Sequence, residues 1–201
     1  TASGESHIAQ PGRRIRRVFL QPDNPKPLDE ALRALREADV IVLGPGSLYT
    51  SVLPNLLVPG VAETIREAKA LRVYVCNVMT QPGETDDYRA SDHVRALINH
   101  AGSGIIDYVL MHRGRVQPTL EEKYRRTGQH PVEADARNVR ALGAMPVARA
   151  MVSQSDLVRH DAALLTSAIA DLWQTHRARQ SWQPGTWLAR LFPVAPRRGG
   201  W

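Results

Sequence analysis

The stretch VIVLGPGSLYTSVLPNLLVP, from Val40 to Pro59, decides the fold of this chain. It opens with the apolar, mostly β-branched run Val40–Leu43, which is typical of a buried strand in a parallel sheet. The run ends abruptly at Gly44-Pro45-Gly46, and hydroxyl-bearing and aromatic residues follow. Because ligands of open α/β sheets bind outside the carboxyl ends of the strands, this loop is the first candidate for a binding site.

A second apolar strand ends in an equally polar loop. The strand Val73–Cys76 is followed by NVMTQPGET, residues 77–85, in which Met79 is the apolar anchor near the tip. One polar loop is common on a protein surface. Two polar loops that follow two buried strands favour a shared site at one edge of the sheet.

The spacing of apolar residues predicts alternating strands and helices along most of the chain. Strands are predicted at 15–20, 40–43, 72–76, 105–111, 131–134 (an edge strand) and 146–152. Helices are predicted at 28–35, 61–70, 91–101, 119–127 and 164–172. Ser91 and Asp161 are the expected N-caps, and a short helix from Ser47 should be interrupted by Pro54. This order predicts an α/β fold of the Rossmann type, with a doubly wound, mainly parallel sheet and flanking helices.

Composition indicates one soluble domain. The chain has 201 residues, of which 43% are hydrophobic and 23% charged. No apolar run is long enough to cross a bilayer, and no signal peptide is visible. Cys76 is the single cysteine, which excludes an intramolecular disulfide, and we interpret it as an inert core thiol. We therefore expect a cytoplasmic protein without a membrane span.

Positive charge is concentrated in the last part of the chain. Residues 173–201 carry five arginines and no acidic residue, which leaves the domain at 1–172 near neutral. We expect this Trp- and Arg-rich tail to be mobile, with a small patch around Trp182 and Trp187 as the alternative. No nucleic-acid-binding signature is present, so we expect no specific nucleic-acid partner.

Motifs for common cofactors are absent from the sequence. Tyr49 stands where a dinucleotide fingerprint needs its third glycine, and neither a Walker A sequence nor an HExxH motif occurs. The acidic residues Glu84, Asp86 and Asp87 are candidate Mg²⁺ ligands, although solvated loop carboxylates are the simpler interpretation. His93 is interpreted as a surface or capping-region histidine. We therefore assign no catalytic residue and no metal site.

Three long segments carry a family resemblance. IVLGPGSLYTSVLPNLLVPG (Ile41–Gly60), VYVCNVMTQPGETDDY (Val73–Tyr88) and SDHVRALINHAG (Ser91–Gly102) resemble the YvcK family of bacterial proteins, called gluconeogenesis factors, in the CofD-like superfamily. GESHI at 4–8, the segment 13–32 and DLVRH at 156–160 extend the resemblance over residues 4–170. The strand and glycine-rich loop with which the family begins have no counterpart here, so the chain resembles the C-terminal part of the family fold.

The resemblance implies binding of a nucleotide-linked ligand, with UDP-sugars such as UDP-N-acetylglucosamine as the expected class. It also implies a regulatory role in growth on gluconeogenic carbon sources, cell-wall precursor supply and cell shape. A protein partner in amino-sugar metabolism would then sense ligand occupancy. The alternative is a transferase of phosphate-linked groups related to 2-phospho-L-lactate transferase, which would need Mg²⁺. The exposed sheet edge also favours association into a homo-oligomer.

The candidate ligand-binding residues all belong to the two loops. They are Gly44, Gly46, Ser47, Leu48, Tyr49, Thr50, Ser51, Asn55, Asn77, Met79, Thr80, Gln81 and Glu84. Amides around Ser47 would hold diphosphate oxygens, with hydroxyl donors from Thr50 and Ser51. The second loop, including Asn77 and Glu84, would read the sugar or base. For Tyr49 we favour packing inward over stacking on a ligand ring.

Overall fold

Parallel strand pairing organises the centre of the molecule. The computed structural model describes residues 1–181 other than 2, 10, 11, 155 and 156. Four strands form one parallel sheet in the order β1-β2-β3-β4, and two short strands pair as an antiparallel hairpin. The strands are β1 (Val40–Leu43), β2 (Leu71–Val75), β3 (Tyr108–His112), β4 (Met145–Arg149), β5 (Val152–Gln154) and β6 (Val158–His160). The predicted α/β class and mainly parallel sheet are confirmed.

Helices that connect the parallel strands cover one face of the sheet, and the last described helix covers the other. They are α1 (Glu5–Ile8), α2 (Asp29–Glu37), α3 (Leu53–Leu56), α4 (Val61–Glu67), α5 (Ala90–Ala101), α6 (Pro118–Arg125), α7 (Ala136–Ala141) and α8 (Ala162–Ser181). A π-helical turn, Leu48–Val52, leads directly into α3. None of the described helices combines the length and apolar character that crossing a bilayer requires.

Strand β2 shows why the sheet is buried on both sides. Leu71, Val73 and Val75 belong to the core under α8, whereas Tyr74 and Cys76 belong to the larger core on the opposite face. All five residues are nearly or fully buried. Since successive side chains of a strand point to opposite faces, only a strand covered on both faces reads as a continuous apolar run.

The predicted strand at residues 15–20 is wrong. None of these residues belongs to a strand in the described part of the chain. The backbone there is held by a side chain instead, because the Val18 amide donates a hydrogen bond to Nε2 of His100 at 3.1 Å. The alternation of basic and apolar residues in RRIRRVFL therefore reflects an extended segment that lies against α5 with Val18 buried.

The start of α5 corrects two predictions. The helix begins at Ala90 with Arg89 as N-cap, and the Arg89 amide donates to Oδ2 of Asp92 at 3.0 Å. Ser91 is not the cap because its hydroxyl donates to Asp135, 2.6 Å away and distant in sequence. His93 is not on the surface: it belongs to α5 and is fully buried. Sequence alone cannot assign either contact, since both depend on how α5 packs.

Smaller differences concern element boundaries. Pro54 does not interrupt its helix, because it occupies the first turn of α3, where its missing N–H costs nothing. Residues 131–134 form one antiparallel bridge, between Pro131 and Met79, rather than a strand. The predicted strand at 146–152 is split between β4 and β5.

Helix α8 extends past the predicted end of the domain. Asp161 caps it as expected, accepting a hydrogen bond from the Leu164 amide at 3.0 Å. The helix continues to Ser181, so the boundary expected at residue 172 falls within a helix. The proposed tail patch around Trp182 and Trp187 lies outside the described residues.

One side-chain cluster ties the start of β2 to the chain that leads into β3. The backbone N and Nε of Arg72 donate to Oδ2 of Asp107, both at 2.9 Å, and Nη2 donates to Oδ1 at 2.7 Å. Nη1 donates to the Gly104 carbonyl at 2.6 Å. Hydrogen bonding to Asp107 raises the pKa of Arg72. The fork of the guanidinium therefore fixes the spacing of two neighbouring strands.

Replacing this guanidinium should destabilise the fold measurably. We expect Arg72→Ala to lower the free energy of unfolding by about 2 kcal/mol, because several hydrogen bonds are lost and a half-buried carboxylate keeps only one backbone donor. Arg95→Ala is the matched control, since Arg95 makes an exposed pair with Asp92 and should change stability by under about 0.5 kcal/mol. Urea denaturation measures both; equal effects would contradict a structural role for Arg72.

Candidate functional site

The two predicted loops meet through a short relay of polar side chains. Ser47 follows β1 and Asn77 follows β2, and Gln81 stands between them. Nε2 of Gln81 donates to Oγ of Ser47 at 2.7 Å, and Nδ2 of Asn77 donates to Oε1 of Gln81 at 3.0 Å. The structure therefore joins one residue of the first loop to two of the second.

A polar cleft of about 300 Å³ opens above this relay. It lies at the carboxyl ends of β1 and β2, where ligands of open α/β sheets bind. The lining residues are Pro45, Gly46, Ser47, Asn77, Val78, Met79, Gln81, Tyr124, Gln129, Val158 and His160. Five of the predicted site residues are among them: Gly46, Ser47, Asn77, Met79 and Gln81.

Two polar atoms of the cleft lack a hydrogen-bond partner although they are buried. They are Oδ1 of Asn77 and Nε2 of His160. A buried polar atom without a partner costs about 1–3 kcal/mol, so such atoms are rare in proteins and often mark a place for a ligand or water. Both residues line the same cleft, which makes it the strongest candidate for a binding site among the described residues.

Glu84 holds the two loops together rather than lining the cleft. Its carboxylate is buried; Oε1 accepts from the Thr50 hydroxyl at 3.1 Å and Oε2 accepts from the Tyr49 amide at 3.4 Å. The Thr50 hydroxyl, which was expected to meet a ligand anion, therefore faces a carboxylate of the protein, as does the Tyr49 amide. A carboxylate beside backbone N–H groups at a helix start is favoured for the same reason that an anion would be.

Other predicted residues lie in the core beneath the loops. Leu48 and Tyr49 are buried, and the hydroxyl groups of Tyr49 and Tyr88 are hydrogen-bonded at 2.7 Å. Tyr49 thus packs inward, as favoured, and burial together with Tyr88 raises its pKa. Thr80 is also buried, and its Oγ1 accepts from the His130 amide at 2.9 Å.

The remaining predicted residues face a second, more apolar cavity. Gly44, Ser51 and Asn55 line a space of about 860 Å³ beside the outer edge of β1, next to α2. Gly44 has a φ of 84°, and a Cβ there would lie 3.1 Å from the Val75 carbonyl oxygen. Only glycine therefore lets the chain leave β1 so close to β2.

Backbone donors remain at the mouth of the first loop. Gly46 and Ser47 are partly exposed, and among the described residues their amides donate no hydrogen bond to the protein. The Ser47 carbonyl, in contrast, accepts from the amides of Ser51 and Val52, both at 3.0 Å. These bonds hold the turn in place and leave its first amides available to an acceptor.

The acidic residues of the second loop do not converge. Oδ2 of Asp86 accepts from the Gly83 amide at 2.7 Å, Asp87 is exposed with a φ of 59°, and Glu84 points to the first loop. Within the described ranges, no three His, Cys, Asp or Glu side chains come together as metal ligands. A magnesium site made of these residues would need a rearranged loop.

His160 is the main cleft residue that sequence reasoning missed as a site residue. It ends β6, and the β5–β6 hairpin folds back over the carboxyl end of β2. Burial lowers the pKa of His160, and a hydrogen bond to the Cys76 backbone partly opposes that effect. Tyr124 supports the hairpin, because its hydroxyl accepts from the Val158 amide at 3.1 Å. The sequence feature that could have indicated His160 is the segment DLVRH, residues 156–160, which was included in the family resemblance.

A buried group of rings lies behind the first loop. His93 packs edge-on against Tyr88 at 5.5 Å between ring centroids, and its Nδ1 is 3.2 Å from the Tyr74 hydroxyl. Burial lowers the pKa of His93 to about 4. Burial likewise raises the pKa of Cys76 to about 12, which agrees with an inert thiol.

Comparison with known families identifies the fold. The family described as 2-phospho-L-lactate transferase CofD matches residues 1–152. This chain belongs to the CofD family. The matched region includes all four strands of the parallel sheet.

Within the CofD family, the chain is similar to proteins called gluconeogenesis factors. It is 50% identical over 170 residues to the one from Halalkalibacterium halodurans, covering 84% of this chain and 53% of that protein. It is 46% identical over 171 residues to the one from Bacillus subtilis, covering 85% and 54%. The crystal structure of protein BH3568 from Bacillus halodurans superposes with a TM-score of 0.82 at 49% identity, covering 84% of this chain and 55% of that one. The chain thus spans about half the length of these relatives.

Acid should destabilise this CofD-family chain through His93. In the unfolded chain the residue takes up a proton near pH 6.5, whereas the folded protein keeps it neutral down to about pH 4. The unfolded state therefore binds more protons between these values, and stability falls as the pH falls through that window. We expect a loss on the order of 3 kcal/mol from this residue.

Urea denaturation at pH 7 and pH 4.5 tests this expectation. His93→Asn keeps an amide near the Tyr74 hydroxyl but removes the titrating ring, so its stability should depend less on pH than that of the unmodified chain. His130→Asn is the control, because the side chain of His130 is exposed. The same pH dependence in all three proteins would show that His93 does not cause the loss.

Proposed function

We propose that this chain supplies part of a binding site for a nucleotide-linked sugar, of the UDP-sugar class that includes UDP-N-acetylglucosamine. The observation that carries the proposal is the pair of buried, unpartnered atoms, Oδ1 of Asn77 and Nε2 of His160, in one polar cleft. A polar ligand in this cleft would satisfy both atoms. A ligand that lacks matching groups would leave them unpaired, which makes such a site selective.

Free backbone donors support the nucleotide part of the proposal. The amides of Gly46 and Ser47, both partly exposed residues, have no acceptor among the described residues. Oxygen atoms of a diphosphate are acceptors that successive backbone amides bind well. The diphosphate would then lie over the first loop, and the neutral parts of the ligand would extend toward Asn77 and His160.

The relatives suggest a regulatory role for such binding. Because similar proteins are called gluconeogenesis factors, we propose that this chain acts in the same process and in the supply of cell-wall precursors that maintains cell shape. In this proposal ligand occupancy changes a surface that an enzyme of amino-sugar metabolism recognises in the cytoplasm. The outer edge of β1, which pairs with no other strand among the described residues, is a candidate for such contact or for self-association.

A transferase activity is the second candidate, and the family description favours it. It would require Mg²⁺ and an acceptor substrate positioned near the cleft. Transfer of a phosphate-linked group breaks the diphosphate bond, so Mg²⁺-dependent release of UMP from UDP-N-acetylglucosamine, with the sugar phosphate passed to water or an added alcohol, would support it if Asp86→Asn abolishes the release. No turnover at saturating ligand would exclude it in favour of binding alone.

Calorimetric titration with UDP-N-acetylglucosamine tests the binding site directly. We expect Ser47→Ala and Asn77→Ala each to weaken binding by about fivefold to tenfold, because each variant removes a member of the polar relay or a ligand contact. Ser103→Ala is the matched control: Ser103 is exposed and lies outside the cleft. Its affinity should equal that of the unmodified chain.

The longer relative from Halalkalibacterium halodurans serves as a reference in the same titration. Binding by the relative and by this chain would support a site built from the two loops. Binding by the relative alone would indicate that the site also needs residues outside this chain. Unchanged affinity in Ser47→Ala and Asn77→Ala would place the ligand elsewhere.

A further inference from the structure

The free nitrogen of His160 is a hydrogen-bond acceptor. The ring forms a hydrogen bond with the Cys76 backbone, and Nε2 is the nitrogen without a partner. The Cys76 amide already donates to the Leu110 carbonyl at 2.9 Å, so the Cys76 carbonyl receives the ring Nδ1–H. Because a neutral imidazole has one donor and one acceptor nitrogen, Nε2 carries the acceptor lone pair of a residue that lines the cleft.

The free atom of Asn77 is an acceptor as well. Its Nδ2 donates to Oε1 of Gln81, and Gln81 in turn donates to Ser47. With Nδ2 engaged in this relay, the remaining amide atom, Oδ1, is an acceptor without a donor on a residue that lines the cleft. We refer to Asn77 Oδ1 and His160 Nε2 together as the acceptor corner.

The chemistry of the acceptor corner selects one kind of ligand group. Two lone pairs facing one space repel the oxygens of a phosphate and attract hydrogen-bond donors. The rest of the lining adds the side-chain amides of Gln81 and Gln129, which both donate and accept. Hydroxyl groups also donate and accept, so a polyhydroxyl ring matches this lining better than an anion or an apolar group does.

The size of the cleft limits how much of a ligand it can hold. Its volume of about 300 Å³ is at the lower end for small-molecule sites. This space suits one ring rather than a whole nucleotide-linked sugar. The amides of Gly46 and Ser47 lie at one side of the same cleft, so a phosphate bound there would leave the acceptor corner for the adjoining ring.

We propose that the acceptor corner binds the hydroxyl groups of a sugar ring and excludes the phosphates from its own part of the cleft. The proposal rests on the proposed function, because it assigns one part of that ligand to two residues. Two rings of the ligand carry suitable hydroxyls: the ribose and the sugar attached to the diphosphate. His160 is then a specificity-determining residue that reads hydroxyl donors through Nε2.

Calorimetry with UDP-N-acetylglucosamine, UDP, 2′-deoxy-UDP and inorganic pyrophosphate tests the proposal. We expect His160→Phe to weaken UDP-N-acetylglucosamine binding by about fivefold to tenfold and to leave pyrophosphate binding unchanged. His160→Gln retains an acceptor and should restore most of the affinity. His130→Phe, the same substitution at an exposed histidine outside the cleft, should bind like the unmodified chain.

The ligand series distinguishes the two rings. If the attached sugar lies in the corner, His160→Phe should reduce binding of UDP-N-acetylglucosamine but not of UDP. If the ribose lies there, both ligands should lose affinity equally; if its 2′-hydroxyl makes the contact, 2′-deoxy-UDP should bind His160→Phe and the unmodified chain alike, whereas a contact through the 3′-hydroxyl would preserve the loss. An equal loss for pyrophosphate would overturn the proposal, because the corner would then hold phosphate.

A nitrogen NMR measurement separates this proposal from the proposed function. Long-range ¹H–¹⁵N spectra should show His160 as the Nδ1–H tautomer, with its Nε2 resonance shifted by millimolar N-acetylglucosamine or ribose. If neither UDP nor UDP-N-acetylglucosamine binds but one of these sugars shifts Nε2, the proposed function fails and the acceptor corner stands. The Nε2–H tautomer, or the absence of a shift with every sugar-containing ligand, would contradict the acceptor corner.

Discussion

Parallel pairing of β1 to β4 is the constraint on which the rest of the molecule depends. Because all four strands run in the same direction, their carboxyl ends lie at one edge of the sheet. The loops after β1 and β2 must therefore meet there, and helices between the strands cover one face of the sheet while α8 covers the other. The cleft is a consequence of this arrangement rather than a separate feature of the fold.

The convergent loops use most of their polar groups to hold each other. Glu84 accepts from Thr50 and from the Tyr49 amide, and Thr80 pairs with the backbone of His130. Such buried bonds are necessary because an unpaired polar group in this region would cost more than the bond contributes. Four buried side-chain atoms of the described residues are left without a partner, and two of them, Oδ1 of Asn77 and Nε2 of His160, belong to residues that line the cleft; the other two, on His93 and His112, lie outside it.

The relatives of this chain are longer than the region that matches it, which bears on the unpaired edge of β1 and on the cleft. The relatives are about twice as long as the matched region, and the outer edge of β1 pairs with no strand of the described residues. The cavity beside that edge is apolar in most of its lining and adjoins Gly44 and Gly46. The loop Gly44-Pro45-Gly46 therefore adjoins both the cleft and the cavity beside the unpaired edge of β1.

The residue pattern by itself determined the α/β class, the strands β1 to β3, the helices between them, and the two loops that form the cleft. Apolar runs and glycines are local signals that can be recognised in the sequence. Once the strands pair in parallel, the loops that follow them lie at the same edge of the sheet. The residue pattern did not distinguish Ser47 and Asn77, which line the cleft, from Thr80 and Glu84, which hold the loops. Only the tertiary structure decided which loop residues line the cleft and which hold the loops together. It also decided that His93 is buried and that His160, at the end of the β5–β6 hairpin, lines the cleft. Each of these outcomes depends on contacts between residues far apart in sequence.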